Sequence, residues 1–285
     1  TPIASDQAGE RTGTLTVRAC KDAACRQPYD NASASVTYRL QIAAVGEWET
    51  IQRDATHNGY VPVRLDPTRF AKIWEWNLTP GPAAADASIA RLATGPGAAY
   101  LVASNINSAG DEYDTTVKAL DETTGAEKWT YKLTGPATMH AMAPAASGGL
   151  VYGATTDSDT LLPAIDPTTA TLRSRNAQST LPLAPILAPT FRSGVAYFFA
   201  GTSGNEMHAM GGLSGIRQWS RPRVGTVASS PAVDNNLVYY YGAGALHIHD
   251  RVTGDPLGSI VDPASAGGNP PGATAVGIGS RGNAI

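Results

Sequence analysis

The sequence predicts an all-β fold, an incomplete β-propeller of four-stranded blades behind a short immunoglobulin-like β segment. Three observations carry that expectation. A turn recurs at a period of about forty-five residues, a tyrosine-bearing apolar strand recurs in step with it, and the composition favours turns over helices. The chain has 285 residues with 30 Gly and 20 Pro, the punctuation of many short strands. Charged residues are 16 % and hydrophobic residues 42 %, the sparse charge of a secreted β protein. A net charge of −3 leaves no electrostatic footprint for nucleic acid or an anionic membrane. No apolar run reaches the ~18–20 residues of a spanning helix.

In chain order, residues 1–45 stand apart. Residues 11–20 and 35–42 alternate with period two, placing Leu15 and Val17 on one face and Val36, Tyr38, Leu40 and Ile42 inward. Cys20 and Cys25 lie between them. A pair this close can bridge the loop between two strands, whereas zinc would need two further ligands and no His lies nearby. The expected disulfide implies an oxidising compartment. The segment resembles the last strands of an immunoglobulin-like module of bacterial surface proteins. Residues 46–89 read as a linker and first propeller strands.

Four blades are then expected at 90–133, 134–178, 179–223 and 224–261, with a partial blade at 262–285. Their turns open at Asp121, Asp166, Gly211 and Asp250, spaced by 45, 45 and 39, and an earlier copy sits at Asp66. The mechanism of the turn is local. Asp accepts backbone N–H bonds, and a Gly four residues on supplies the positive φ that closes it. Eight residues after positions 66, 121 and 211 come Trp74, Trp129 and Trp219, expected to fill space between blades; Ser174 and Gly258 hold that place after 166 and 250. Tyr100, Tyr152, Tyr197 and Tyr239 mark the second strand of each copy, and Pro144, Pro189 and Pro231 precede the last three by eight residues. Strands such as Leu237–Tyr241 are apolar on both faces, as a sheet stacked between two others requires.

The stretch Val117–Trp129 resembles the repeat of quinoprotein-like (PQQ-repeat) β-propellers. That family includes quinoprotein alcohol dehydrogenases and the outer-membrane assembly factor of the BAM complex. The resemblance covers about residues 57–285. Residues 275–285 align with the start of a further blade. The chain is therefore expected to be part of a larger propeller, or else completed by other chains.

Chemistry is thinly signalled. The dehydrogenase branch implies an adjacent Cys–Cys pair, a Trp floor, and calcium beside a catalytic Asp. The two cysteines are neither adjacent nor in the propeller, and no residue matches the Asp. No catalytic residue and no cofactor are expected, PQQ is disfavoured, and calcium stays open through Asp157 and Asp159 or Asp111, Glu112 and Asp114. His208 and His247 share a repeat position, so a histidine ring is a weak metal candidate; strand packing is the plainer reading. His140, in a Met-His-Ala-Met stretch, could face a channel.

The expected function is a secreted bacterial module for non-enzymatic binding, adhesion or scaffolding. Its partners would be other proteins or further copies of itself, and its place extracellular, on the cell surface or periplasmic. Two alternatives stand beside it: a subunit of an extracellular polymer joined by strand exchange, and a quinoprotein-type oxidoreductase.

Overall fold

A computed structural model describes residues 9–42, 46–50, 52–61, 68, 70–78, 88–89, 92–95, 97–106, 113–133, 144–152, 163–174, 188–200, 205–227, 229–265 and 276–279. The chain divides into two units, Thr1–Gly46 with Val61–Leu65, and Glu47–Tyr60 with Asp66–Ile285.

The first unit is a long antiparallel hairpin of β1 (Gly9–Cys20) and β2 (Pro28–Ile42). Cys20 and Cys25 are joined by a disulfide in its connection. Asp22 shapes that loop, its carboxylate accepting the amides of Ala24, Arg26 and Gln27 at 2.7–3.1 Å. Pairing of Leu15 with Val36 and Gly13 with Tyr38 gathers the apolar residues on one face and Thr14, Thr16, Ser35 and Thr37 on the other. The alternation is real, but the inward placement is not: Leu15, Val17, Val36, Tyr38 and Leu40 are 49–65 % exposed. Two strands offer only one layer, and a core needs two.

The second unit is the propeller. Its first described sheet holds β3 (Ser88–Ile89), β4 (Ala93–Gly95), β5 (Ala98–Ile106), β6 (Tyr113–Asp121) and β7 (Glu127–Leu133), with β3 and β4 sharing one edge of β5. Three four-stranded sheets follow. They are β8 (Ala145–Ser147) to β11 (Leu172–Ser174) through β9 (Leu150–Tyr152) and β10 (Ala164–Ile165), then β12 (Thr190–Arg192), β13 (Val195–Ala200), β14 (Glu206–Gly211) and β15 (Arg217–Pro222), then β16 (Ala232–Val233), β17 (Leu237–Gly242), β18 (Ala245–Asp250) and β19 (Pro256–Val261). All are antiparallel meanders in chain order.

Register repeats with the sequence. Tyr100, Tyr152, Tyr197 and Tyr239 pair on one side with Ala93, Ala145, Thr190 and Ala232, and on the other with Ala119, Ala164, Ala209 and Ile248. Each latter partner lies two residues before its turn, so Asp121, Asp166, Gly211 and Asp250 hold like places in successive sheets. The first strands β4, β8, β12 and β16 neighbour one another in turn and form the inner ring.

The core lies between blades rather than within them. Along β13, Val195, Tyr197 and Phe199 join the layer shared with the fourth sheet, while Ala196, Phe198 and Ala200 join the layer shared with the second. Both faces are buried, and each large side chain contributes ~1.5–3 kcal/mol. Tyr152 stacks on Phe191 across one such layer at 3.7 Å.

Candidate functional site

The four turns share one backbone. In each, the amide four residues on donates to the carbonyl of the first residue at 2.8–3.0 Å, and the amide of the first residue is paired with the carbonyl five on. Asp121 Oδ1 accepts the amides of Thr123 and Thr124; Asp166 and Asp250 do the same at their turns. Hydrogen bonds from Arg173 and from these amides hold the Asp166 carboxyl down at about 2. Gly211 has no carboxylate; Ser214 keeps only the bond that Thr124 and Thr253 make in the other turns, accepting the amide two residues on. The residue four on is Gly125, Gly215 and Gly254, but Ala170 in the second blade, and all four have positive φ.

The tryptophans tie each blade to the next turn. Trp74, Trp129 and Trp219 donate their indole N–H to the carbonyls of Glu122, Pro167 and Arg251, each the residue after the turn aspartate, at 2.7–3.0 Å. The Trp74 and Trp219 rings lie flat against Gly125 and Gly254, where a Cβ would come within 2.7 and 2.5 Å of ring carbons. The turn that has no aspartate, at Gly211, is also the one preceded by Ser174 instead of tryptophan.

Residues 47–60, within the stretch expected as a linker and first propeller strands, form a strap along the inner strands. Trp48 exchanges bonds with Thr94 in β4, and the Glu49 carbonyl accepts the amide of Ala146 in β8. Thr50 Oγ1 donates to Pro189 O at 3.2 Å, and His57 Nε2 pairs with Thr190 Oγ1 at 2.9 Å. The Ala55 carbonyl accepts Val233 N in β16, and the Thr56 carbonyl accepts Ile278 N, each at 2.7 Å. The strap's carbonyls therefore meet the inner strands in the order the chain makes them, while the His57 ring reaches back to β12. Inner edges carry amides with no partner in their own sheet, and these carbonyls satisfy them. A tight turn, with Thr50 and Arg53 paired both ways and Asp54 Oδ1 accepting the Thr56 amide, folds the strap back. Thr50, Ala55 and His57 are 2–3 % exposed. Burial drops the His57 imidazole to about 4, and its Nδ1 has no partner among the described residues.

Beside the strap, between the first two blades, lies a cavity of about 270 Å³. Glu47 and Glu49 line it, with Tyr100, Ser147, Leu150 and Pro167 among its walls. Burial raises the Glu49 carboxyl, aided by the charges of Asp54 and Glu47 and opposed by a Ser147 hydrogen bond and Arg192.

The other sequence candidates do not converge. His208 is fully buried and stacks on Phe198, in the layer between the second and third blades. His247 stacks on Tyr240, in the next layer, and donates Nε2–H to Gly242 O at 3.0 Å. One blade separates them, so they form no ring, and among the described residues no three His, Cys, Asp or Glu gather to hold a metal. Asp66, Asp111, Glu112, His140, Asp157 and Asp159, and the Asp114 side chain, lie outside the described residues. No described helix is long and apolar enough to cross a membrane.

Among solved structures, a europium-containing methanol dehydrogenase aligns at TM-score 0.55 and 12 % identity, covering 76 % of this chain and 49 % of that one. The quinohemoprotein alcohol dehydrogenase of Comamonas testosteroni aligns at TM-score 0.51 and 18 % identity, covering 75 % and 41 %. BamB of Moraxella catarrhalis aligns at TM-score 0.47 and 16 % identity, covering 73 % and 57 %. The chain thus spans about half the length of these structures, and at such identities the first two share its fold alone. No curated protein matches the sequence. Residues 57–271, well over half of the chain and all four turns from Asp121 to Asp250, match the family described as outer membrane protein assembly factor BamB, and the chain belongs to that family.

Proposed function

We propose that this chain is a non-enzymatic protein-binding or scaffolding module that works in the periplasm or outside the cell. The observation that carries the reading is the strap. With residues 48–56 laid along the inner strands, the turns stay accessible, Leu213 and Val252 at their tips being 67 % and 69 % exposed, and such rigid loops suit partner recognition. Family membership and the Cys20–Cys25 disulfide support the role and the compartment. Adhesion, self-association and polymerisation by strand exchange are finer versions of the same reading.

The test sets binding against catalysis. The protein is incubated with pyrroloquinoline quinone and calcium, then assayed for dye-linked oxidation of alcohols and sugars. No new absorbance band and no turnover are expected. A stoichiometric quinone complex that oxidises substrate would overturn the proposal. In parallel, photo-crosslinking from the turn position of Leu213 in native cells should give one defined protein adduct. Adducts no different from those made at an inner-ring position would count against a binding face.

A further inference from the structure

We propose that the cavity between the first and second blades binds an organic cation, a protonated amine or guanidinium on a short apolar stem, with Glu47 and Glu49 as its counter-charges. The inference stands on four features of the site. The first is size. At about 270 Å³ the cavity falls below the ~300–1,000 Å³ of sites for drug-sized ligands, so it fits a group the size of a side chain. The second is charge: Glu47 and Glu49 lie two residues apart on the strap and both line the cavity. Neither forms an ion pair with a described Lys or Arg within 4 Å.

The third is a phenol on the wall. Tyr100 is 3 % exposed, its hydroxyl has no hydrogen-bond partner among the described residues, and it feels the charge of Glu47. A phenol oxygen can accept a hydrogen bond, so a donor held between it and the carboxylates would be bonded on both sides. The fourth is the nature of the other walls. Beside the hydroxyls of Thr94 and Ser147, Leu150, Val151 and Pro167 offer carbon, too few oxygens to complete a metal shell. A hard metal ion wants six or more oxygens, whereas an alkyl stem wants such a surface. An occupant would also bridge the strap to the second blade, because Glu49 belongs to one and Ser147 to the other.

The same chemistry can come from a free small molecule or from a Lys or Arg side chain of a partner, and the titration separates them. The full chain is titrated with butylguanidinium, butylammonium, neutral 1-butanol, calcium and a capped Gly-Arg-Gly peptide. Binding is followed by amide shifts of Gly148 and Gly149 and by calorimetry. Both cations should bind and 1-butanol should not. Glu47→Gln and Glu49→Gln should each weaken binding about tenfold, the scale of one lost charge-assisted hydrogen bond, and Tyr100→Phe several-fold. Exchange of the Thr94 and Ala146 amides, which pair with the strap carbonyls, should slow on binding. Peptide binding at or above the affinity of butylguanidinium assigns the site to a partner's side chain; weaker peptide binding assigns it to a free cation.

Circular dichroism of each variant checks that the fold is kept, and Tyr100→Phe, which removes only one oxygen, serves as the independent arm. No binding of either cation, equal binding of 1-butanol, tighter binding of calcium, or full affinity in the Glu47→Gln/Glu49→Gln double variant would each overturn the proposal. The result does not depend on whether a protein partner is found.

Discussion

Gly254→Ala tests the inter-blade lock at its tightest point. Gly254 has φ +75°, where an L side chain costs ~1–2 kcal/mol. An added Cβ would also lie 2.5, 2.7 and 3.0 Å from Cδ2, Cε3 and Cγ of Trp219. Those atoms belong to a rigid fused ring, 6 % exposed and held by its bond to Arg251 O, so the ring has nowhere to turn. Forcing a methyl into such packing costs a further ~1–3 kcal/mol, for a total of about 2–5 kcal/mol. The assay is a double-mutant cycle with Trp219→Leu, read from urea midpoints. In the Trp219→Leu background the clash is gone and only the backbone cost should remain, leaving a coupling of about 1–3 kcal/mol. A cost below ~0.5 kcal/mol in the wild-type background, or an equal cost in both, would refute the lock as described.

The second blade supplies the opposite sign: Ala170 already sits at φ +56°, so Ala170→Gly should raise the thermal midpoint, a net gain of ~0.5–1 kcal/mol after the greater freedom of the unfolded chain is subtracted. Asp166 is depressed from 3.8 to about 2, so its contribution is present above pH 4 and is lost as pH falls towards 2. Asp166→Asn should flatten the urea midpoint between pH 4 and pH 2, and an unchanged slope would count against the Arg173 and turn-amide bonds as its cause. His57 is depressed from 6.5 to about 4, so the unfolded chain takes up its proton first. Stability from His57 is complete above pH 6.5 and drains as pH falls to 4, by about 3 kcal/mol in all. His57→Gln should remove that part of the slope, leaving the similar share of His208, and a midpoint that tracks wild type across pH 7 to 4 would show that His57 is not buried against the ring.

The repeat was open to reading because its side chains do the structural work. A turn that needs a carboxylate at Asp121 and a Cβ-free residue at Gly125 prints both in the chain, as does a blade interface that needs Trp129 or Tyr197. The strap prints almost nothing. Its bonds run through the carbonyls of Trp48, Glu49, Ala55 and Thr56, and every residue type carries a carbonyl. Thr50 and His57 reach the third blade by side chain, and a lone Thr and His before Asn58-Gly59 look like an ordinary loop. The cavity was hidden for the same reason. Glu47 and Glu49 face Tyr100 and Ser147 only once the strap is seated, and nothing in their spacing foretells that. The hairpin failed differently, since alternation tells which residues share a face but not whether anything covers it.

The strap also sets an order on synthesis. It leaves the ribosome before the four described blades, yet its carbonyls must wait for Thr94, Ala146, Val233 and finally Ile278. At ~5–20 residues per second, the 222 residues from Thr56 to Ile278 take about 10–45 s to emerge. For that interval the growing propeller must assemble around a thread already in place, or leave its centre open until the thread is drawn in.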